Sequence, residues 1–136
     1  MSIYAENTLN EIQVAGGYYS QKPISTTSTI SGAGITNTGA MIGGVQTLAA
    51  AGAVDLVTPI TRIDSTGAIA LTLADGTNGQ IKYIVMGTDG GDATLTPTTK
   101  TGFSTITFND AGDGVTLVFI TTKGWICAGN NGATLA

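Results

Sequence analysis

Apolar and polar residues alternate in short runs from about residue 54 to the end of the chain. In "AIALTL", Ile69, Leu71 and Leu73 alternate with alanine and threonine, and "STITF" repeats the pattern with Ile106 and Phe108. Such runs recur every 8 to 15 residues and are separated by Gly, Asp and Asn, which is typical of an all-β fold. The pattern predicts an antiparallel β-sandwich or barrel, similar to a jelly roll, over residues 54–136.

The first 53 residues follow a different pattern. They are rich in Ser, Thr, Gly and Ala, and "STTSTISGAGITNTGAMIGG" has neither a helical nor a sustained strand period. Glycine destabilises a helix by about 1 kcal/mol relative to alanine, yet the segment is too apolar for a fully disordered tail. We expect residues 1–53 to form an extended arm that orders against a partner, with a short helix near Val45 to Ala51 as the one regular element that the pattern allows.

Two predicted strands are apolar on both faces. In "QIKYIVM" one face carries Ile81, Tyr83 and Val85, and the other also carries apolar side chains. A free two-layer protein has one apolar and one polar face, so a second apolar face needs a cover. A neighbouring subunit or the chain's own arm would supply it, and we expect a subunit contact. The residues assigned to this covered second face are Ile84, Met86, Val118 and Ile120.

A short acidic sequence occurs twice, each time between two predicted strands. The sequence Asp-x-Gly-Asp spans Asp89 to Asp92 and again Asp110 to Asp113. Asp bonds its own backbone in turns, and Gly adopts positive φ without steric cost, so both copies are interpreted as hairpin turns. Their oxygens are also ligands that Ca²⁺ accepts, which leaves a weak calcium site as the alternative.

Charge is sparse along the whole chain. Five basic and nine acidic residues make up 10% of 136, and mean hydropathy is +0.27, whereas charged residues are about 25% of an average soluble protein. The basic residues are scattered, which disfavours nucleic-acid binding. The stretch "AMIGGVQTLAAAGAVDLV" is too short and too rich in Gly and Ala for a membrane span, and "MSIYAENTLNEI" does not resemble a signal peptide. We therefore expect other protein to cover much of the surface.

The residue types needed for most enzyme mechanisms are missing. The chain has no histidine, both glutamates lie in the first dozen residues, and Cys127 is the single cysteine, which argues against triad catalysis, a His metal site and a disulfide. We expect no enzymatic activity and no cofactor. Trp125, the only tryptophan, is assigned to the core, with stacking on a sugar as the alternative. Tyrosine is enriched at interfaces, so Tyr4, Tyr18 and Tyr19, together with Ile3, are expected to anchor the arm on a partner.

Residues 60–136 resemble a Thr/Gly-rich β module of structural proteins from tailed bacteriophages, including marine and cyanobacterial ones. The shared marks are "GQIK" from Gly79, the two Asp-x-Gly-Asp turns, "TITF", and Trp125 followed by "GNNG" from Gly129.

The resemblance implies a trimeric β domain of a virion. For a chain of this length it implies a capsid decoration, or cement, protein that is made in the host cytoplasm and clamps neighbouring major capsid subunits through its arm. The alternative is a trimeric tail-fibre or spike head that binds a host-surface glycan or receptor. The expected partners are further copies of the chain and the major capsid protein, with neither nucleic acid nor membrane.

Overall fold

The computed structural model describes residues 39–136, and every structural statement below concerns these residues. They form ten β-strands and no helix, so the all-β prediction is confirmed. Four residues expected to contact a capsid lie outside the described range: Ile3, Tyr4, Tyr18 and Tyr19.

The strands form two five-stranded sheets that do not close into a barrel. Sheet A has the order β1-β3-β5-β8-β9, and sheet B has the order β10-β7-β6-β4-β2. Sheet A consists of β1 (Val45–Leu48), β3 (Ile60–Asp64), β5 (Ile81–Thr88), β8 (Gly114–Ile120) and β9 (Gly124–Asn131). Sheet B consists of β2 (Gly52–Val54), β4 (Ile69–Leu73), β6 (Ala93–Pro97), β7 (Ile106–Phe108) and β10 (Thr134–Leu135).

The prediction of antiparallel pairing is wrong for the first six strands. These strands alternate between the sheets, and β1, β3 and β5 pair in parallel in sheet A, as do β2, β4 and β6 in sheet B. Parallel neighbours need a connection that returns the chain to its starting end, and here a strand of the other sheet provides it. Strands β7 to β10 pair antiparallel to their neighbours, so both sheets are mixed.

The inward-facing side chains of both sheets form one hydrophobic core. Leu71 and Leu95 of sheet B and Leu117 of sheet A are each at most 1% exposed, as the period of two predicts for strands with one buried face. Trp125 is fully buried, donates its Nε1–H to the carbonyl of Ala74 at 2.9 Å, and meets Phe119 edge to face. Its assignment to the core is confirmed.

The two acidic sequences are turns, but neither closes a hairpin within one sheet. Asp89 to Asp92 leads from β5 in sheet A to β6 in sheet B, and Asp110 to Asp113 leads from β7 in sheet B to β8 in sheet A. Gly91 has a φ of +151°, and a Cβ there would lie 2.6 Å from the backbone of Gly67, in the turn from β3 to β4. The close packing of these two turns therefore requires glycine at this position.

Part of the segment predicted as an arm belongs to the sheets. Val45–Leu48 is strand β1, where a short helix was considered, and Gly52–Val54 is strand β2. Gln46 fixes this region, because its Nε2 donates to the carbonyl of Ala53 and its Oε1 accepts from the backbone N–H of Asp55. The β structure thus begins before residue 54.

Trp125→Ala is expected to lower the free energy of unfolding by about 3–5 kcal/mol, the usual cost of emptying a large aromatic site in a core. Trp125→Phe should cost less, because most of the volume is retained and the main loss is the hydrogen bond to the carbonyl of Ala74, worth about 0.5–1.5 kcal/mol. Urea unfolding followed by circular dichroism measures both variants. Equal stability of Trp125→Ala and the unchanged protein would contradict the assignment.

Candidate interaction face on sheet A

The outer face of sheet A, the side turned away from the core, carries large apolar side chains in contact with solvent. Four of them rank among the most exposed large apolar residues on the strands: Val45 at 54%, Tyr83 at 49%, Ile81 at 44% and Val85 at 38%. The outward-facing Ile60, Val118, Ile120 and Ile126 are half-buried and extend the apolar area. Large contiguous apolar surface on a folded protein marks an interaction site.

The predicted covered face is corrected for strand β5. Ile84 and Met86 are 1% exposed and lie in the core, where sheet B of the same chain covers them. The outward-facing residues of β5 are instead Ile81, Tyr83 and Val85. Val118 and Ile120 of β8 do face outward, and Val118 pairs with Ile81. Both faces of β5 are apolar, so alternation alone did not reveal which one points inward.

The outer face of sheet B is chemically different. Its strands present small residues, chiefly alanine and threonine, to solvent. Members of this set are Ala53, Ala70, Thr72, Thr94, Thr96, Thr107 and Thr134. Threonine suits a pleated surface and keeps its hydroxyl in water. Of the two outer faces, that of sheet A is therefore the one with surface to bury.

The outer face of sheet A has a ridge and a hollow side by side. The ridge consists of Ile81, Tyr83 and Val85 on β5, the central strand. The hollow, about 350 Å³, lies over the neighbouring strands β8 and β9, and its floor carries Gly114 and Gly129. Thr116, Asn130 and Asn131 also line it, and Tyr83 and Val85 form its wall. Two glycines in adjacent strands create this space because neither has a side chain.

The outer face of sheet A is electrically neutral. Among the described strands of the sheet, its outward-facing charged residues are Arg62 and Asp64 on β3. Arg62 Nε lies 2.9 Å from Asp64 Oδ1, so the two charges offset each other. Exposed pairs of this kind contribute little to stability, about 0–1 kcal/mol. Their effect here is to leave no net charge on the face that would repel another protein.

One cation, Lys82, points from β5 into the protein and is fully buried. Its Nζ donates to the carbonyl of Thr58 and lies 3.9 Å from Asp55 Oδ1. Burial lowers the pKa of Lys82, and the charge of Asp55 opposes that shift only in part. Lys82 therefore ties β5 to the loop between β2 and β3 and contributes no charge to the outer face.

Asp55 organises the loop that receives Lys82. Burial raises the pKa of Asp55, but hydrogen bonds from Thr58 and Val57 and the charge of Lys82 lower it, and the net shift is downward. Asp55 Oδ1 accepts the backbone N–H groups of Val57 at 2.8 Å and Thr58 at 2.7 Å. Asp55 and Lys82 therefore have a structural role, which is to hold the loop between β2 and β3 against β5.

The acidic turns brace the backbone. Asp113 is buried, and its Oδ2 accepts the backbone N–H groups of Asn109 and Asp110 at 2.8 and 3.1 Å. Asp89 Oδ1 accepts the N–H of Gly91 in the same manner. Within residues 39–136, no three acidic, cysteine or histidine side chains are grouped so that they could hold a metal ion.

Two further features of the described chain bear on possible ligands. Trp125 has no exposed surface, so its ring does not stack on a sugar. Residues 39–136 contain no helix of the length and hydropathy needed to cross a membrane.

Comparison with known proteins found no match for this chain among protein-family models, curated proteins or solved structures.

Lys82→Met is expected to flatten the dependence of stability on pH above neutrality. Because burial lowers the pKa of Lys82 below 10.5, the unfolded chain holds more protons than the folded chain between that lowered value and 10.5. Stability therefore rises with pH across this interval. Methionine does not ionise, so this rise in stability with pH is absent in the variant. Urea midpoints measured from about pH 7 towards pH 10 test this, and parallel curves for the two proteins would contradict it.

Proposed function

We propose that this protein is a non-enzymatic structural protein of a bacteriophage virion, a capsid decoration or cement protein that acts as a homotrimer. The observation that carries the proposal is the neutral, apolar outer face of sheet A in a chain with only 10% charged residues. Such a surface favours a permanently associated state over a free monomer. The resemblance of residues 60–136 to a phage structural module supplies the virion context.

The mechanism is burial of surface, without chemistry on a substrate. The outer face of sheet A joins copies of the chain, and each Å² of apolar surface removed from water contributes about 25 cal/mol. The segment before β1 contacts the major capsid protein and holds neighbouring capsid subunits together. The proposed contacts Ile3, Tyr4, Tyr18 and Tyr19 belong to that segment. The protein would then be located on the capsid surface.

The alternative, a tail-fibre or spike head that binds a glycan, has lost its main candidate residue. Trp125 is buried in the core and bonded to Ala74. The acidic loops use Asp89 and Asp113 to hold their own backbone. The capsid role is therefore the one we retain.

Tyr83→Lys is expected to dissociate the trimer, because a buried ammonium without a partner is costly at an interface. Thr96→Lys is the matched control, since it places the same charge on the exposed outer face of sheet B. Light scattering coupled to size-exclusion chromatography gives the mass of each variant, and circular dichroism verifies the fold. Dissociation by both variants, or by neither, would contradict the assignment of the interface to sheet A.

Quantitative mass spectrometry of virions from the phage that encodes this chain tests its location. A decoration protein should be present in hundreds of copies per particle, because the capsid repeats its subunits over a closed shell. A few copies per particle would place the protein on the tail, and its absence from purified particles would contradict a structural role.

A further inference from the structure

The ridge and the hollow lie side by side on the outer face of sheet A. The ridge projects from β5 with Tyr83 at its centre, half of whose surface is exposed. The hollow lies over the next two strands, where Gly114 and Gly129 leave the backbone uncovered. In the sheet, Tyr83 pairs with Thr116, which in turn pairs with Gly129, so ridge and floor lie on one row across three strands.

The chemistry of the hollow matches the chemistry of the ridge. The floor is uncharged, and at the rim the side-chain nitrogens of Asn130 and Asn131 already donate to the carbonyls of Ala133 and Gly112. An apolar or aromatic side chain can enter it without meeting a charge. Tyrosine is well suited to such contacts, because its ring is rigid and its hydroxyl can remain at a wet edge.

The size of the face also fits a contact between copies. Five strands about 4.8 Å apart and four to eight residues long, at about 3.3 Å per residue, give a flat area of roughly 500 Å² before side-chain relief is counted. A standard interface buries about 800 Å² per partner. A second copy of the same face supplies a surface of equal extent and equal neutrality, since Arg62 and Asp64 offset each other in each copy.

We propose that the ridge of one copy enters the hollow of a neighbouring copy, with Tyr83 packed over the partner's Gly114 and Gly129. This inference rests on the proposed function and names the contact that assembles it. In the proposed trimer each ridge contacts the hollow of the next copy, and such a heterologous contact closes into a ring. In this trimer the outer face of sheet A of each copy is directed towards a common three-fold axis. The ridge of each copy then contacts the hollow of the next copy around the axis.

Gly129→Leu is the decisive variant, because it fills the hollow without disturbing the chain that carries it. A Cβ at Gly129 would meet Thr116 at 3.6 Å, an ordinary contact, and the residue does not have the positive φ that would demand glycine. We expect the variant to keep its fold and to raise the dissociation constant of the assembly by at least about tenfold. Thr96→Leu, which adds a similar side chain to the outer face of sheet B, should leave the constant unchanged.

Double-variant analysis tests direct contact between Tyr83 and position 129. In the Tyr83→Ala background the ridge is shortened, so Gly129→Leu should weaken association much less than it does with Tyr83 present. Sedimentation velocity over a concentration series measures all four combinations. A surface that associates merely because it is apolar would instead bind more tightly when leucine is added.

The outcomes separate this contact from the wider proposal. A trimer that tolerates Gly129→Leu, or equal effects of that substitution with and without Tyr83, overturns the ridge-in-hollow contact and leaves the decoration role standing. A protein that stays monomeric at all concentrations overturns both. Loss of the trimer in folded Gly129→Leu, together with unequal effects in the two backgrounds, supports the contact.

Discussion

The contact between the inward faces of the two sheets is the constraint on which the rest of the structure depends. Each of the first six strands crosses to the sheet opposite its predecessor, so every pair of consecutive strands adds side chains to both sides of one core. This arrangement fixes which residues of each strand point inward. Ile84, Met86 and Lys82 take the inward positions of β5, and Ile81, Tyr83 and Val85 are left outside.

The consequence is a protein with two unlike outer faces. Sheet B presents threonine and alanine, which are compatible with water, whereas sheet A presents a ridge of large apolar side chains beside a floor of glycine. Arg62 and Asp64 offset each other on the apolar face, and Lys82 is directed into the core. The proposed assembly role rests on this asymmetry, because the folding of residues 39–136 leaves apolar surface of sheet A exposed.

The sequence predicted the local pattern well and the pairing of strands poorly. Alternation correctly placed Leu71, Leu73 and Phe108 inside, because a strand with one polar face has a single inward option. Alternation of apolar and polar residues does not indicate which strand pairs with which, or in which direction. The register shows that "GAIALTL" and "GDATLTP" occupy equivalent positions in parallel strands, with Leu71 beside Leu95. This weak repeat was the available signal for parallel pairing between β4 and β6.

The outer face of sheet A was also only partly predictable from the sequence. Both faces of β5 are apolar, and the presence of Lys82 beside Ile84 and Met86 favoured the wrong one as the outer face, since a lysine is rarely buried. Its burial is made feasible by Thr58 and Asp55, which lie more than twenty residues earlier in the chain. The hollow was equally hidden, because Gly114 and Gly129 become neighbours of Tyr83 only through the pairing of three strands.

Hydroxyl-radical footprinting of Tyr83, read by mass spectrometry over a dilution series, tests the central claim most directly. Tyr83 is half exposed in a single chain, so it should be oxidised slowly in the concentrated protein and quickly once dilution separates the copies. Thr96 on sheet B should react equally at every concentration. Rapid oxidation of Tyr83 that does not change with concentration would show that the outer face of sheet A is open to water, and would contradict the account.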